Sequence, residues 1–128
     1  MENKKKDENR EIPLVNKSSS LSFKQLVFPY MVAKLILFAY DNGYKVTLGE
    51  AHRTKEQAEI YAKQGRGIKN SLHRIRIAID LNLYKNDRFL DQSDDHIELG
   101  EYWEKLGGSW GGRFGDGNHY SIEHEGRK

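Results

Sequence analysis

Four side chains of the kinds that bind divalent metals stand at two places in the second half of the sequence. His73 precedes Asp80 by seven residues, and Asp116 precedes His119 by three. Imidazole nitrogens and carboxylate oxygens are ordinary zinc ligands, and a catalytic zinc ion usually takes three protein ligands and leaves one position open. The chain has no cysteine, so any metal site in it must be built from histidine, aspartate and glutamate.

Asp80 lies in the stretch IRIAIDLNL, where apolar and other residues alternate. The isoleucines and leucines share one parity, whereas Asp80 shares the other parity with Ala78 and Asn82. A period of two predicts a strand with one buried face. The face of Asp80 has no bulky hydrophobic side chain, which is typical of the floor of a site. A buried carboxylate without a partner is costly, and a nearby metal cation removes that cost.

The two pairs of residues can converge only if the chain bends. On one straight strand, an odd separation would put His73 and Asp80 on opposite faces, so we expect a bend near residues 74–76. The segment HYSIEH predicts a short final strand in which His119 faces the same cavity as Asp80. Asp116 then lies in the preceding loop, about one water molecule away from a metal. A carboxylate there can take a proton from the attacking water and pass it to a leaving amine.

The remaining elements follow from caps, periodicity and turn residues. They sum to an α+β fold in which about three helices flank a small, mostly antiparallel sheet. In the first half of the chain we predict a helix from a capping box at Ser22 and Gln25 to about Asn42, a strand over 44–48, and a helix from its cap Thr54 through Lys63. The strand from Ile75 follows, and then a turn over 84–89 with a short strand after it. The last elements are a helix that Ser93 caps and Gly107 ends, and the final strand.

Length and composition limit the possible classes of protein. With 128 residues the chain has room for one domain, and the charged segment before it predicts a disordered tail over residues 1–20 and a folded domain over 21–128. The net charge of +2 is too balanced for a dedicated nucleic-acid surface. The longest apolar run contains Pro29 and Lys34 and is shorter than the ~20 residues of a membrane span, so it predicts a buried helix.

These motifs resemble those of the zinc peptidases that cut bacterial peptidoglycan peptides, the M15 family of D-alanyl-D-alanine carboxypeptidases and phage L-alanyl-D-glutamate endopeptidases. The family pattern is Ser-x-His, six residues, Asp, and later an acidic residue, two residues and His. The sequence has SLHRIRIAID and DGNH, together with AHRTKEQAEIY upstream and WGGRF before the last motif. The resemblance spans about residues 21–124 and implies the fold shared by these peptidases and the hedgehog signalling domains.

The resemblance implies a role for eight residues. His73, Asp80 and His119 would bind one Zn²⁺ per chain. Asp116 would be the general base and acid, where many members have glutamate, and Arg53 would hold the substrate carbonyl near the developing oxyanion. Three further residues are candidates for substrate binding or for support of the site, namely Ser71, Gln57 and Arg76.

Arg76 departs from the family pattern, because many relatives have glycine there. We take the arginine to indicate that the bend does not need positive φ. Its side chain would pair with a substrate carboxylate or lie on the surface. The other three histidines, His52, His96 and His124, are alternatives as ligands. His96 would be solvated in a first helical turn, and His124 is discounted because it shares the parity of Tyr120 and lies near the end of the sequence.

The resemblance implies a zinc metallopeptidase that hydrolyses peptidoglycan stem peptides, with L-alanyl-D-glutamate endopeptidase of the phage endolysin type as the first hypothesis. The alternatives are a D,D-carboxypeptidase or dipeptidase, which would need a cation such as Arg76 for a free carboxylate, and a non-catalytic zinc-binding module. We expect a monomer with no nucleic-acid partner. Without a signal peptide, we expect synthesis in the host cytoplasm and phage-type release onto the cell wall.

Overall fold

The computed structural model describes residues 15–16, 18–66 and 71–128. The predicted tail lies largely outside these ranges, so its boundary at residue 21 stays a prediction, although Val15 is buried against the core. The helices are α1 (Leu21–Asp41), α2 (Lys55–Lys63) and α3 (Ile97–Lys105), and the strands are β1 (Lys45–Leu48), β2 (Ala78–Lys85), β3 (Arg88–Leu90), β4 (Ser109–Trp110) and β5 (His119–Ser121). Short 3₁₀ turns cover Ser93–His96 and Gly111–Phe114.

Helix α1 lays an apolar face on the sheet. Ser20 caps it by accepting a hydrogen bond from the Phe23 N–H at 3.2 Å, so the predicted cap at Ser22 was wrong by two residues. The buried side chains of α1 that join the core are Val27, Phe28, Met31, Leu35 and Ala39. By length and composition alone this helix could also cross a membrane. In this structure its buried face forms part of the hydrophobic core.

The antiparallel sheet has the order β1-β2-β5-β4, and β3 pairs with β2 as well. The predicted alternation along β2 is confirmed, since Ile79, Leu81 and Leu83 are buried in the core while Asp80 and Asn82 are not. The α+β fold with three helices and a small sheet is therefore confirmed. Strand β5 pairs with the first half of β2, and its register places Asp80 opposite His119.

Aromatic side chains fill the space between α1, α3 and the sheet. The Trp103 ring meets the Phe28 and Tyr120 rings edge-on, with centroids 5.8 and 5.9 Å apart. His96 belongs to this packing, because it is 3% exposed and its Nδ1 lies 2.7 Å from the Tyr120 hydroxyl. The expectation of a solvated His96 was therefore wrong. Burial lowers the pKa of His96 to about 4, so this histidine is neutral at neutral pH.

The turn before β2 supplies the predicted bend. Residues 72–76 form consecutive turns, and Arg76 has a φ of 62°. The expectation that arginine excludes positive φ here was wrong, since Arg76 takes the left-handed conformation that glycine adopts at the least steric cost. Arg76 therefore carries backbone strain at this position.

Candidate metal centre

His73, Asp80 and His119 converge on one point of the sheet surface. His73 comes from the turn before β2, and the pairing of β2 with β5 sets the other two side by side. Asp80 Oδ1 lies 3.3 Å from His73 Nε2 and 3.4 Å from His119 Nδ1. One ligand atom from each residue lies within 4.8 Å of the others, which is a spacing that can hold a metal ion.

The carboxylate between the two imidazoles stays ionised. Burial of Asp80 raises its pKa, but hydrogen bonds from His119 and His73 outweigh burial and lower the pKa to about 2. For His119, burial lowers the pKa, while the hydrogen bond and charge of Asp80 raise it by more. The metal-free cluster thus holds a carboxylate that favours cations and an imidazole that keeps a proton to a higher pH than usual.

Ser71 holds the turn that carries His73. Its hydroxyl oxygen accepts a hydrogen bond from the His73 N–H at 3.2 Å, and Ser71 itself is 7% exposed. The His73 carbonyl oxygen accepts a hydrogen bond from the Arg53 N–H at 3.0 Å, which joins this turn to the segment after β1. Of the two roles that the sequence left open for Ser71, bracing the site is the one these contacts support.

Glu50 is a part of the site that sequence reasoning missed. Its carboxylate is hydrogen-bonded by the Arg53 guanidinium through Nε, at 2.9 Å, and through a terminal nitrogen. The same oxygen, Oε1, lies 3.6 Å from His73 Nδ1, the ring nitrogen that faces away from Asp80. That nitrogen is buried, and among the described residues it has no hydrogen-bond partner within 3.5 Å. A signal existed in the sequence, because Glu50 lies three residues before Arg53.

Arg53 and Gln57 lie in different surroundings. Arg53 lines the cleft beside the three candidate ligands, and its partner is Glu50. Gln57 starts α2, where its N–H donates to the Thr54 hydroxyl at 3.0 Å, as the predicted cap requires. Its side chain is half-buried and is not among those lining the cleft.

Asp116 lies in the same cleft, which encloses about 580 Å³. It is exposed and stands outside the three-residue cluster. The loop that carries it is fixed on both sides: the Gly117 N–H donates to the Ser93 hydroxyl at 3.0 Å, and the Trp110 indole donates to the Gly117 carbonyl at 2.8 Å. A side chain at Gly117 would lie 2.4 Å from the Ser93 Cα, so the loop can approach this closely only with glycine.

The end of the chain supports His119 from behind. His119 Nε2 lies 3.0 Å from the Lys128 carbonyl oxygen, so its N–H donates there while Nδ1 faces Asp80. The last turn is in turn tied to α1, because the buried Lys24 ammonium donates to the Glu123 carbonyl at 2.8 Å and lies 3.0 Å from His124 Nδ1.

Arg76 does not line the cleft of the candidate ligands. It lines a separate apolar depression, together with Phe28, Pro29 and Val32 of α1. The structure therefore does not bring Arg76 to the cleft of the three candidate ligands, and the predicted pairing with a substrate carboxylate has no geometric support. His52 lines the same depression and, like His124, is not part of the cluster.

Comparison with known proteins agrees with this geometry. The model of a family described as D-alanyl-D-alanine carboxypeptidase, of the M15 peptidases, matches residues 64–122, the part of the chain that holds all three candidate ligands and Asp116. Over these residues, just under half of its length, the chain is similar to the M15 peptidases. This confirms the predicted class, a zinc-dependent peptidase acting on peptidoglycan peptides. No curated protein gave a significant match.

Two solved structures share the fold. One is the L-Ala D-Glu endopeptidase ChiX of Serratia marcescens, with a TM-score of 0.62 and 16% identity over 85% of this chain and 90% of that one. The other is a mutant of the vancomycin-resistance D,D-pentapeptidase VanY, from a VanB-type resistance cassette, in complex with Zn(II). Its TM-score is 0.53 and its identity 14%, over 90% of this chain and 80% of that one.

The three candidate ligands of this chain fit zinc. Two imidazoles and one carboxylate are a usual protein complement for a catalytic zinc ion, with one position left for water or substrate. Both imidazoles turn one nitrogen toward Asp80 and have an acceptor near the other nitrogen, Glu50 for His73 and the Lys128 carbonyl for His119. Such acceptors fix ring orientation in zinc sites.

Proposed function

We propose that this protein is an L-alanyl-D-glutamate endopeptidase of the phage endolysin type. The observation that carries the proposal is the placement of Asp116 in the same cleft as the His73, Asp80 and His119 cluster, because hydrolysis of a peptide bond needs both a metal site and a proton carrier. The structural similarity to ChiX, an L-Ala D-Glu endopeptidase, supports the choice of bond.

Asp116 and Arg53 each have a step to perform in the cleft. When bound, zinc supplies Lewis-acid polarisation of the carbonyl and of water. Asp116 takes a proton from the attacking water at its carboxylate and returns that proton to the departing amine nitrogen. The Arg53 guanidinium, held by Glu50, donates toward the oxygen on which negative charge develops. Because water is the nucleophile, the chain needs no nucleophilic side chain of its own.

The alternative is a D,D-carboxypeptidase or dipeptidase. The description of the matching family and the similarity to VanY, a D,D-pentapeptidase, favour it. Its sequence argument relied on Arg76 as the receptor of a terminal carboxylate, and Arg76 lies outside the cleft. We prefer the endopeptidase because the similarity to ChiX has the higher TM-score, 0.62 against 0.53, and covers more of the compared protein.

Product analysis on defined muropeptides distinguishes these activities. We expect mass spectrometry to show cleavage after L-alanine, lost with a chelator and restored by zinc. Release of terminal D-alanine instead would select the carboxypeptidase.

A matched pair of variants tests the role of Asp116. Asp116→Asn should keep one zinc and lower turnover about 10²- to 10⁴-fold, whereas Asp94→Asn, a change at an exposed aspartate, should do neither. Near-normal turnover of Asp116→Asn would remove this residue from the mechanism, and zinc binding without any cleavage by the parent protein would favour the non-catalytic zinc module. Phage-type release and a monomeric state stay predictions from the sequence.

A further inference from the structure

A second arginine, Arg66, lines the cleft together with Arg53. Arg66 follows the end of α2, where Gly65 has a φ of 70°. The Arg66 N–H donates to the Tyr61 carbonyl at 2.8 Å, and the Gly65 N–H donates to the Ala62 carbonyl at 3.1 Å. This pair of hydrogen bonds is the Schellman motif, which fixes the backbone of the residue after the glycine. The position of Arg66 is thus set by the helix end.

The side chain of Arg66 is directed by an aromatic ring that it shares with Arg53. The guanidinium carbons of Arg53 and Arg66 lie 5.0 and 4.8 Å from the centre of the Tyr61 ring. Both arginines line the cleft of the candidate metal ligands. Attraction to the ring face holds a guanidinium in place and leaves its N–H groups able to donate to a ligand.

The arginines that line the cleft differ in whether a carboxylate lies next to them. The charge of Arg53 is balanced by Glu50, and Asp80 faces the metal position. Arg127, which also lines the cleft, lies 3.8 Å from Glu125. The contacts of Arg66, in the described part of the chain, are the Gln64 amide oxygen at 3.2 Å and the Tyr61 ring, neither of which is charged. Arg66 thus adds a positive charge to a wall where the other arginine is already neutralised.

We propose that Arg66 binds a carboxylate of the substrate next to the scissile bond. The inference rests on the proposed function, in which the residue after that bond is D-glutamate. This residue is linked onward through its side-chain carboxyl group, so its α-carboxylate is free unless it is amidated. A guanidinium matches a carboxylate in shape and charge. The protein therefore selects stem peptides with a free α-carboxylate over those with an α-carboxamide.

Binding to an inactive protein tests the proposal without turnover. The probes are two N-acetylated, C-terminally amidated peptides L-Ala-γ-D-Glu-L-Lys that differ only in a free or amidated α-carboxyl group on glutamate. We titrate each calorimetrically into the zinc-loaded, full-length Asp116→Asn protein. We expect the free acid to bind about ten-fold more tightly, with a preference that falls as salt is raised.

Two further variants assign the preference to Arg66. Adding Arg66→Gln should bring the two dissociation constants within about two-fold of each other by weakening the free acid alone. Adding Arg88→Gln, which removes the same charge from an exposed position on β3, should leave the preference unchanged. Equal binding of the two peptides by the parent protein, or an undiminished preference in the Arg66→Gln protein, would overturn the proposal.

Cleavage assays with active protein separate this inference from the proposed function. Cleavage of both peptides at equal efficiency, together with equal binding, would overturn the role of Arg66 and leave the endopeptidase intact. If neither peptide is bound or cut by zinc-loaded protein, the proposed function fails, and the role of Arg66 fails with it.

Discussion

At the scale of single residues, the site depends on contacts behind the ligands as much as on the ligands. Two imidazoles and a carboxylate can be found from the spacing of SLHRIRIAID and DGNH. The groups near the outer ring nitrogens, Glu50 and the Lys128 carbonyl, could not be assigned in this way, because Glu50 lies outside both motifs and the Lys128 carbonyl is a backbone group.

The carboxylate of Glu50 should strengthen zinc binding through His73. In Glu50→Ala the His73 ring loses its nearest acceptor and Arg53 loses its partner, so we expect zinc affinity to fall about 10- to 100-fold. Glu50→Gln should recover most of the affinity, because the amide oxygen can still accept a hydrogen bond. Competition with a chromogenic chelator measures the constants. Glu56→Ala, at an exposed glutamate of α2, is the control and should bind zinc normally; an unchanged affinity in Glu50→Ala would contradict the role.

The stability of the metal-free protein should depend on pH in two windows. The pKa of Asp80 is lowered to about 2 in the folded protein. Its contribution to the free energy of unfolding is therefore present above its ordinary pKa of 3.8 and is lost as pH falls toward 2. The pKa of His119 is raised in the folded protein. Its contribution to the free energy of unfolding is therefore present below its ordinary pKa of 6.5 and is lost as pH rises through the raised value. The metal-free protein should therefore be most stable between these windows.

Thermal unfolding across pH tests this expectation. With zinc bound, the gain in melting temperature should increase as pH rises above 6.5, because His119 must lose its proton to bind metal. In the metal-free Asp80→Asn protein, the melting temperature should fall less at both low and high pH than in the metal-free parent. A metal-free protein whose stability keeps rising through neutral pH would show that the cluster does not hold its protons in this way.

At the scale of elements, the strand patterns and the position of the bend before β2 could be predicted, whereas the backbone conformation of that bend could not. The period-two alternation identifies the buried face of β2, since parity depends only on strand geometry. The φ of Arg76 was predicted wrongly, because one sequence cannot show that an arginine occupies a left-handed position. His96 was also misjudged, since its burial depends on a tertiary contact with Tyr120 that helical position does not reveal.

Two substitutions at position 76 separate backbone strain from side-chain effects. Arg76→Gly and Arg76→Ala remove the same contacts, but only glycine adopts a φ of 62° without steric cost. We expect the glycine variant to exceed the alanine variant by about 1 kcal/mol in free energy of unfolding, measured in urea. Equal stabilities, or a more stable alanine variant, would mean that the turn relaxes and stores no strain.

At the scale of the whole molecule, helix α1 is joined to the turn that follows β5. The buried Lys24 of α1 contacts the turn after β5 through Glu123 and His124, and the same turn brings Lys128 to His119. No local pattern predicts a buried lysine in an apolar helix, because its partners lie about a hundred residues away. The sequence does predict the class of fold, since that class follows from periodicity and caps.

Removal of this contact should loosen the C-terminal turn. In Lys24→Met the Glu123 carbonyl loses its donor, so we expect a loss of about 1–3 kcal/mol in free energy of unfolding. Lys45→Met, at an exposed position of β1, is the matched control and should change stability little. Chemical denaturation gives both values. A Lys24→Met protein as stable as the parent would show that the turn does not depend on this lysine.

The central claim is that His73, Asp80 and His119 hold one zinc ion. The most direct measurement is a crystal structure of the zinc-loaded protein, with anomalous data collected at the zinc edge, for the parent and for His73→Ala. We predict a single strong peak in the parent between His73 Nε2, His119 Nδ1 and the Asp80 carboxylate, and its loss in the variant. A parent with no peak there, or with zinc bound by other side chains, would contradict the account.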